Sequence, residues 1–266
     1  MIGAIIGDIV GSRFEWDNIK TKDFELFTPD CCFTDDSVMT LAVAQAILES
    51  GEDLEALEHE TAACMRKLGK RYPLAGYGGR FTMWLISKNP KPYNSFGNGS
   101  AMRVSPCGFA AATMEEALAL ADAVTRVTHN HPEGMKGAEA TAAAIFLARS
   151  GKTKQEIRDY IEQYYYKIDF TLDEIRPSYT FDVSCQGSVP QALEAFFESM
   201  DFEDAIRNAI SIGGDSDTIA AITGGIAEAY YGVPEKLREQ ALTYLDEMQK
   251  EILDGFCARF KTHEDT

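Results

Sequence analysis

The sequence predicts an all-α fold, because helix signals recur along the chain while strand signals are few. One apolar run, Met1–Val10, has the composition of a buried strand, but two glycines within so short a run leave helix or strand undecided. No alternation of strands and helices follows it, which argues against a parallel α/β sheet. We therefore expect one all-α domain over residues 1–266, with the functional site carried by its loops.

The helix signals are apolar stripes and N-terminal capping residues. The segment Ser37–Ser50 places Val38, Leu41, Ala42 and Leu48 on one stripe. Three capping boxes predict helix starts at Thr113/Glu116, Thr153/Glu156 and Ser188/Gln191, the last with Pro190 in its first turn. Further helices are predicted at Glu133–Ser150, Asp201–Ser211, Ile219–Tyr231 and Pro234–Leu253.

Composition indicates a globular protein of the cytosol. Hydrophobic residues make up 45% and charged residues 25% of the chain, which are ordinary globular values. The first residues lack the basic region of a signal peptide, and no apolar run approaches the roughly 20 residues of a membrane span. The six cysteines show no zinc spacing and are expected to be reduced thiols. We expect a cytoplasmic location and no membrane partner.

Charge is unevenly distributed along the chain. The net charge of −17 argues against a nucleic-acid partner. Residues 61–114 contain no Asp or Glu but eight Lys or Arg residues, among them Arg80 and Arg103. This stretch is either a solvated basic face or one side of a pocket that faces an anion such as a diphosphate.

Two acidic clusters are the main candidate site. Thr34-Asp35-Asp36 and Asp215-Ser216-Asp217-Thr218 each place two carboxylates beside a hydroxyl, directly before a predicted helix. Residues i and i+2 diverge in mid-helix but can converge at a helix start or in the preceding loop. Helix capping alone would explain one acid in each cluster, not two. All-oxygen ligands predict a hard cation such as Mg²⁺, Mn²⁺ or Ca²⁺, and the number of ligands suits two adjacent ions.

Five segments resemble the ADP-ribosylglycohydrolases, the group that includes the dinitrogenase reductase-activating glycohydrolase. They occur in the family's order at residues 3–15 (GAIIGDIVGSRFE), 34–36 (TDD), 97–103 (GNGSAMR), 128–132 (THNHP) and 213–218 (GGDSDT). The resemblance implies an orthogonal helical bundle with a loop-lined cleft and two Mg²⁺ ions, with Mn²⁺ as an alternative, at its base. The metal ligands it implies are Thr34, Asp35, Asp36, Asp215, Asp217 and Thr218. It also implies that Met1–Val10 is helical.

The resemblance further implies hydrolysis of the bond between ADP-ribose and an acceptor, which is a protein side chain or a small molecule. Such a reaction passes through an oxocarbenium-like transition state and needs a carboxylate that moves a proton. Glu15, which the family places near the metals, is the first candidate for this role, and Asp35 or Asp36 is the second. Asn98, Gly99, Ser100, Met102 and His129 are the expected substrate-binding residues, whereas His131 is expected to be structural.

The acceptor and two other classes of function stay open at this stage. Arginine-specific members are expected to carry an extra acidic residue between the two segments 34–36 and 97–103, and residues 61–98 contain none. Arginine-, serine- and other O-linked conjugates therefore remain candidates, and the oligomeric state is not predicted. The alternative functions are a non-catalytic ADP-ribose-binding relative and a two-metal phosphoesterase or diphosphatase.

Overall fold

The computed structural model describes residues 1–51 and 53–260, and within these ranges it contains α-helices but no β-strand. The helices are α1 (Ile2–Gly11), α2 (Asp35–Ser50), α3 (Leu54–Arg71), α4 (Gly79–Ile86), α5 (Ser105–Ala110), α6 (Met114–Arg126), α7 (Pro132–Arg149), α8 (Lys154–Tyr164), α9 (Leu172–Ile175), α10 (Cys185–Phe197), α11 (Phe202–Ser211), α12 (Ser216–Tyr231), α13 (Glu235–Leu242) and α14 (Glu247–Arg259). Short 3₁₀ turns occupy Ser12–Phe14 and Asn98–Ser100. The predicted all-α class is confirmed.

The N-terminal segment is a helix, so its strand-like composition was misleading. Gly3, Gly7 and Gly11 recur every four residues and lie on one face of α1, against α12. A Cβ atom at Gly3 or Gly7 would overlap a backbone carbonyl oxygen of α12, and one at Gly11 would lie 2.5 Å from the Cα atom of Asp217. The glycines therefore let the two helix backbones touch, and this contact places Asp217 of α12 beside α1.

Helix α12 is the centre of the core. All of its residues from Ser216 to Ala229 are buried, and α1, α7, α10 and α11 pack around it. The buried hydrophobic side chains of the described residues form one contiguous cluster. No described helix is long and apolar enough to cross a membrane.

Most predicted helix starts are correct, and one is wrong. Thr153 and Glu156 form the reciprocal capping box at α8, and Thr113 caps α6 by accepting from the N–H of Glu116. The box predicted at Ser188/Gln191 does not exist, because α10 already begins at Cys185. Ser184 caps this helix by accepting from the N–H of Gly187 at 3.1 Å, so Ser188 and Pro190 lie inside it.

The single helix predicted over Pro234–Leu253 is two helices, α13 and α14. The chain turns after Leu242, and Asp246 starts α14 with a capping box to Gln249. An acidic residue followed three positions later by glutamine carries the same capping chemistry as a Thr/Glu pair. The apolar periodicity continues across this break, and for that reason it hid the boundary.

Candidate active site

The two acidic clusters meet at the N-terminal ends of α2 and α12. Thr34 is the N-cap of α2 and Asp215 is the N-cap of α12, so Asp36 and Asp217 each occupy a first helical turn. This confirms that the acids converge at helix starts. The helix N-terminus also favours negative charge, because its backbone N–H groups point outward. We call the acids at this junction, Asp8, Glu15, Asp35, Asp36, Asp215 and Asp217, the acidic floor.

The carboxylates of the floor form two groups that share Asp217. Oxygen atoms of Asp8, Asp36 and Asp217 lie within 4.8 Å of one another, and so do those of Glu15, Asp215 and Asp217. Each group combines carboxylate oxygens from the N-terminal part of the chain with oxygens from the segment 215–217. Two adjoining groups with one common residue suit a pair of neighbouring hard cations.

Asp8 belongs to this floor although the sequence analysis did not select it. The Asp8 carboxylate accepts from the N–H and hydroxyl of Thr34, at 2.9 and 2.6 Å, and from the N–H and hydroxyl of Ser37. Asp8 thereby ties α1 to the start of α2. A signal was available, since Asp8 is the single charged residue in an otherwise apolar run of ten.

The threonine hydroxyls of both clusters converge on Asp36. Thr218 donates to Asp36 Oδ2 at 3.2 Å, and Thr34 lies 3.5 Å from the same atom. The other oxygen, Asp36 Oδ1, is buried without a hydrogen-bond partner. A buried carboxylate oxygen without a partner is costly, and a bound cation would supply that partner. The residues present therefore fit the predicted Mg²⁺ or Mn²⁺, whose binding stays a prediction.

Burial and mutual repulsion make the floor unfavourable for negative charge. Burial, with the Asp36 and Asp215 carboxylates, raises the pKa of Asp217 well above its usual range. Burial, with the Asp8 and Asp35 carboxylates, does the same to the pKa of Asp36. Asp215 is shifted in the same direction, mainly by burial. Neutralising the floor thus requires protons or cations.

Glu15 follows the 3₁₀ turn after α1 and reaches the floor from the rim of the cleft. Burial, with the nearby Asp215 carboxylate, raises its pKa to about 7. Such a pKa suits a group that gives or takes a proton at neutral pH. The predicted catalytic role of Glu15 is untested, but its position beside Asp215 and Asp217 agrees with it.

Asp35 lines the cleft on the side of residues 75–79, outside the two three-carboxylate groups described above. Its N–H donates to the carbonyl of Ala75 at 2.7 Å. Burial, with the Asp8 and Asp215 carboxylates, raises its pKa to about 8. Its placement leaves it available for substrate or proton transfer as well as for an ion.

Asn18 holds the Glu15 segment against the loop that carries Asp215. Its amide donates to the carbonyls of Glu15 and Gly214, at 3.1 and 2.9 Å, and its amide oxygen accepts from the N–H of Gly214 at 2.7 Å. Gly213 and Gly214 both have positive φ (69° and 80°), a conformation that glycine adopts without strain. Asn18 was missed because its partner lies 196 residues away.

The opposite wall of the cleft contains the 97–103 segment. The amide of Asn98 donates to Asp215 Oδ2 at 2.7 Å and to the Ser188 hydroxyl at 3.0 Å, so it links this wall to the floor. Gly99 and Met102 line the cleft. Ser100 does not, because it is fully buried and donates to the carbonyl of Gly134 at 2.8 Å. Ser100 therefore positions the turn, and its predicted contact with substrate stays a prediction.

His129 and Arg103 form the innermost part of this wall. The Arg103 guanidinium is fully buried and donates to the Thr128 hydroxyl at 2.8 Å, and that hydroxyl lies 2.7 Å from His129 Nδ1. Because Thr128 accepts from Arg103, its own proton can go to Nδ1. This assignment places the ring proton on Nε2, the atom nearest Gly99.

The charges of these two residues differ. Burial, with the Arg103 and Arg80 charges, lowers the pKa of His129 well below its usual range, so its ring is neutral. Burial lowers the pKa of Arg103 to about 10, so it stays charged at neutral pH. The cleft therefore has a cation on the wall across from its acidic floor. By contrast, His131 caps α7 and accepts from the N–H of Glu133, in agreement with its predicted structural role.

Only part of the acid-free stretch faces the cleft. Of its eight basic residues, Arg80 and Arg103 line the cavity of about 400 Å³. Arg66 instead donates to the carbonyls of Leu85 and Ser87 at the end of α4. Two arginines of the stretch therefore line the pocket and the other basic residues lie elsewhere, and the binding of an anion at this wall stays a prediction.

The fold and the site together define a helical protein with a buried acidic centre at the base of a cleft. A family model described as ADP-ribosylglycohydrolase matches residues 1–264. The chain belongs to the ADP-ribosylglycohydrolase family.

Relatives with known names extend this assignment. The chain is 26% identical to the ADP-ribosylhydrolase ARH3 of Homo sapiens, over 92% of this chain and 88% of that protein. It is also 26% identical to the ADP-ribosylarginine hydrolase Tri1 of Pseudomonas putida (strain GB-1), over 96% of this chain and 76% of that protein. A solved structure titled "ADP-ribosylglycohydrolase-related protein complex" has the same fold, with a TM-score of 0.71 at 23% identity and coverage of 98% and 95%.

Proposed function

We propose that this protein is a Mg²⁺-dependent glycohydrolase that cleaves the bond between ADP-ribose and an acceptor and releases ADP-ribose. One observation carries the proposal: two three-carboxylate groups sharing Asp217 lie at the base of a cleft whose other wall holds the buried cation Arg103. The names of the relatives, which include an ADP-ribosylhydrolase and an ADP-ribosylarginine hydrolase, support the same class of substrate.

The residues that would hold the ions are Asp36, Asp215 and Asp217, with the hydroxyls of Thr34 and Thr218. Asp8 orients Thr34 and supplies a further carboxylate to one of the groups. Bound divalent cations would balance the floor's negative charge, orient sugar hydroxyls and activate a water molecule. Because burial and mutual repulsion raise the pKa values of Asp36, Asp215 and Asp217, such charge balance would stabilise the floor.

Glu15 is the proposed acid or base. It lies at the rim of the floor, is only half-buried, and has a pKa of about 7 in the absence of ions. A carboxyl group in this position can protonate the leaving acceptor or take a proton from the attacking water. Asp35 is the second candidate, because it also lines the cleft and has a raised pKa.

The diphosphate of ADP-ribose is proposed to lie along the opposite wall. Arg103 supplies positive charge there, and the Nε2 proton of His129 supplies a neutral donor. Gly97 and Gly99 lack side chains on the same surface, which allows phosphate oxygens to approach the backbone. The Asn98 amide contributes by holding this wall at a fixed distance from Asp215.

The acceptor is not assigned to arginine. The acidic side chains that line the cleft are Glu15, Asp35, Asp36, Asp215 and Asp217, and all belong to the floor. A guanidinium acceptor would therefore share its carboxylates with the ions. Serine-linked and other O-linked conjugates need no such partner, and both remain candidates beside arginine.

The deciding experiment is incubation of the protein with ADP-ribosylated peptides linked through Arg, Ser or a carboxylate, with Mg²⁺ or with excess EDTA. Free ADP-ribose formed only with Mg²⁺ supports the proposal, and the ranking of the three linkages identifies the acceptor. Release of AMP would instead indicate a diphosphatase. Tight ADP-ribose binding without turnover of any linkage would indicate a binding protein, and full activity in EDTA would overturn the metal mechanism.

A further inference from the structure

A surface groove beside the cleft runs along α4. Its walls are one face of α4 and the segment that follows it, and its lining residues are Gly79, Arg80, Met83, Trp84, Ser87, Pro90, Lys91 and Tyr93. Residues 80, 83, 84 and 87 lie three or four positions apart and thus share one helical face. The Met83 side chain is 66% exposed, so this face presents apolar surface that nothing in the described chain covers.

The groove is continuous with the cleft. Gly79, Arg80 and Tyr93 line both of them. The Arg80 guanidinium lies 4.9 Å from the centre of the Tyr93 ring and donates to the Tyr93 carbonyl. These two residues form the ridge between the cavity and the groove, so a chain that leaves the cleft over Arg80 enters the groove directly.

The groove wall is preformed, because hydrogen bonds and ring packing already hold α4 in place. Arg66 donates to the carbonyls of Leu85 and Ser87, at 3.2 and 2.6 Å, and so closes the C-terminal end of α4. Trp84 is buried beneath the groove and stacks on Phe81, with ring centres 5.4 Å apart. Little ordering of α4 is therefore required when a ligand binds.

The charge of the groove is opposite to that of the protein. Its lining carries Arg80 and Lys91 and no acidic residue, and exposed Lys88 lies near them in the chain. The protein as a whole carries −17, so an acidic polypeptide is repelled by much of its surface and attracted to this face. Acids lie beyond the groove on both sides. The acidic floor lies in the cleft, and past Trp84 and Pro90 lie Glu55 and Glu58, of which Glu58 is paired with Arg126 at 3.2 Å.

We propose that this groove binds the polypeptide that carries the ADP-ribose, and that it prefers a segment with acidic side chains next to the modified residue. The inference rests on the proposed function, because it places the acceptor chain beside a cleft that holds ADP-ribose. Met83 and Pro90 contact apolar atoms of the segment above the buried Trp84, and Arg80 and Lys91 attract its carboxylates. A small conjugate has no chain to place there and gains nothing from the groove.

The test compares three substrates: an ADP-ribosylated peptide with acidic residues flanking the modified side chain, the same peptide with Asn and Gln in their place, and an ADP-ribosylated free amino acid. Lys91→Glu should lower kcat/KM for the acidic peptide roughly fivefold to tenfold, by loss of electrostatic attraction, and leave the free amino-acid conjugate unchanged. Met83→Ser should lower kcat/KM for both peptides. The preference for the acidic peptide should also fall as salt concentration rises.

Matched controls are Lys167→Glu and Met200→Ser, which change an exposed lysine and an exposed methionine outside both cavities. Both should behave as the unmodified protein. Equal kcat/KM for the three substrates, or equal losses in Lys91→Glu and Lys167→Glu, would overturn the proposed binding of polypeptide in the groove. Either result would leave the proposed glycohydrolase activity unaffected. No turnover of the free amino-acid conjugate or of either peptide would instead count against the proposed function itself.

Discussion

The acidic floor and the opposite wall of the same cleft are built in different ways. The floor draws its carboxylates from short runs of sequence at the ends of α1, α2 and α12, and close helix contacts hold them together. The wall combines the mostly uncharged 97–103 segment with single residues from elsewhere in the chain, such as Arg80 and His129. The difference shows that dense charge marks a site in sequence, whereas a sparse charge becomes functional only through its position in the fold.

The largest effect is expected when one of the proposed metal-binding carboxylates of the floor is substituted. Asp36→Asn or Asp215→Asn should abolish turnover, because either change removes a charge from one of the two carboxylate groups. Mn²⁺ affinity, measured by calorimetry, should fall by more than the roughly 10–100-fold that follows loss of an outer hydrogen-bond partner. Retained turnover in either variant would contradict the proposed division between a floor that binds metal ions and a wall that binds substrate.

Glu15→Gln should separate proton transfer from ion binding within the floor. Turnover should fall about 10²–10⁴-fold, the range for loss of a general acid or base, while Mn²⁺ affinity falls less than in Asp36→Asn. The comparison to make is with Asp35→Asn under the same conditions. A greater loss of turnover in Asp35→Asn, with ion binding kept, would transfer the proton-transfer role to Asp35.

Gly7→Ala should show that helix contact, and not only charge, builds the floor. The added Cβ atom would overlap the carbonyl group of Ala220 and push α1 away from α12. The free energy of unfolding should fall by about 1–3 kcal/mol, as for other overpacked sites, and Mn²⁺ affinity should fall with it. Gly51→Ala is a poor control because Gly51 has positive φ, whereas Gly78→Ala, which meets no atom within 4 Å, should change neither quantity.

A substitution in the wall should weaken substrate binding and leave ion binding unchanged. Arg103→Met should raise KM roughly tenfold, the equivalent of one charge-assisted hydrogen bond, and leave Mn²⁺ affinity unchanged. Arg66→Met is the matched control, since Arg66 comes from the same acid-free stretch but donates to α4 carbonyls outside the cleft. Equal effects on KM in the two variants would mean that Arg103 is structural.

The same contrast explains how much was predictable from sequence. The all-α class, the convergence of the two acidic clusters and a structural role for His131 were predicted from the sequence, and all three are present in the structure, where His131 caps α7. The helical state of Met1–Val10 could not be derived from composition, because its glycines are explained only by contact with α12. Asn18 acts through a partner that is distant in sequence, so no local pattern reveals it. Asp8 stands out as the single charged residue of Met1–Val10, but its role appears only when the fold brings it to Thr34 and Ser37.

Other errors came from one local signal hiding another. The Ser188/Gln191 pair has the form of a capping box, but Ser184 lies earlier in the chain and already starts the helix. The acid-free stretch correctly indicated positive charge near the cleft, but not which of its residues face the cavity. Arg66 donates to carbonyls at the end of α4 and Arg71 lies 3.7 Å from Asp246, and neither lines the cleft.

The central claim is that the floor binds two divalent cations that share Asp217, and counting the bound ions tests it most directly. Titration of the metal-free protein with Mn²⁺, followed by electron paramagnetic resonance, should give two ions per chain with the spin coupling of a close pair. Asp217→Asn should weaken both sites together, because this residue belongs to both carboxylate groups, while circular dichroism shows the helices intact. A single ion in the unmodified protein, or two tightly bound ions retained in Asp217→Asn, would contradict the account.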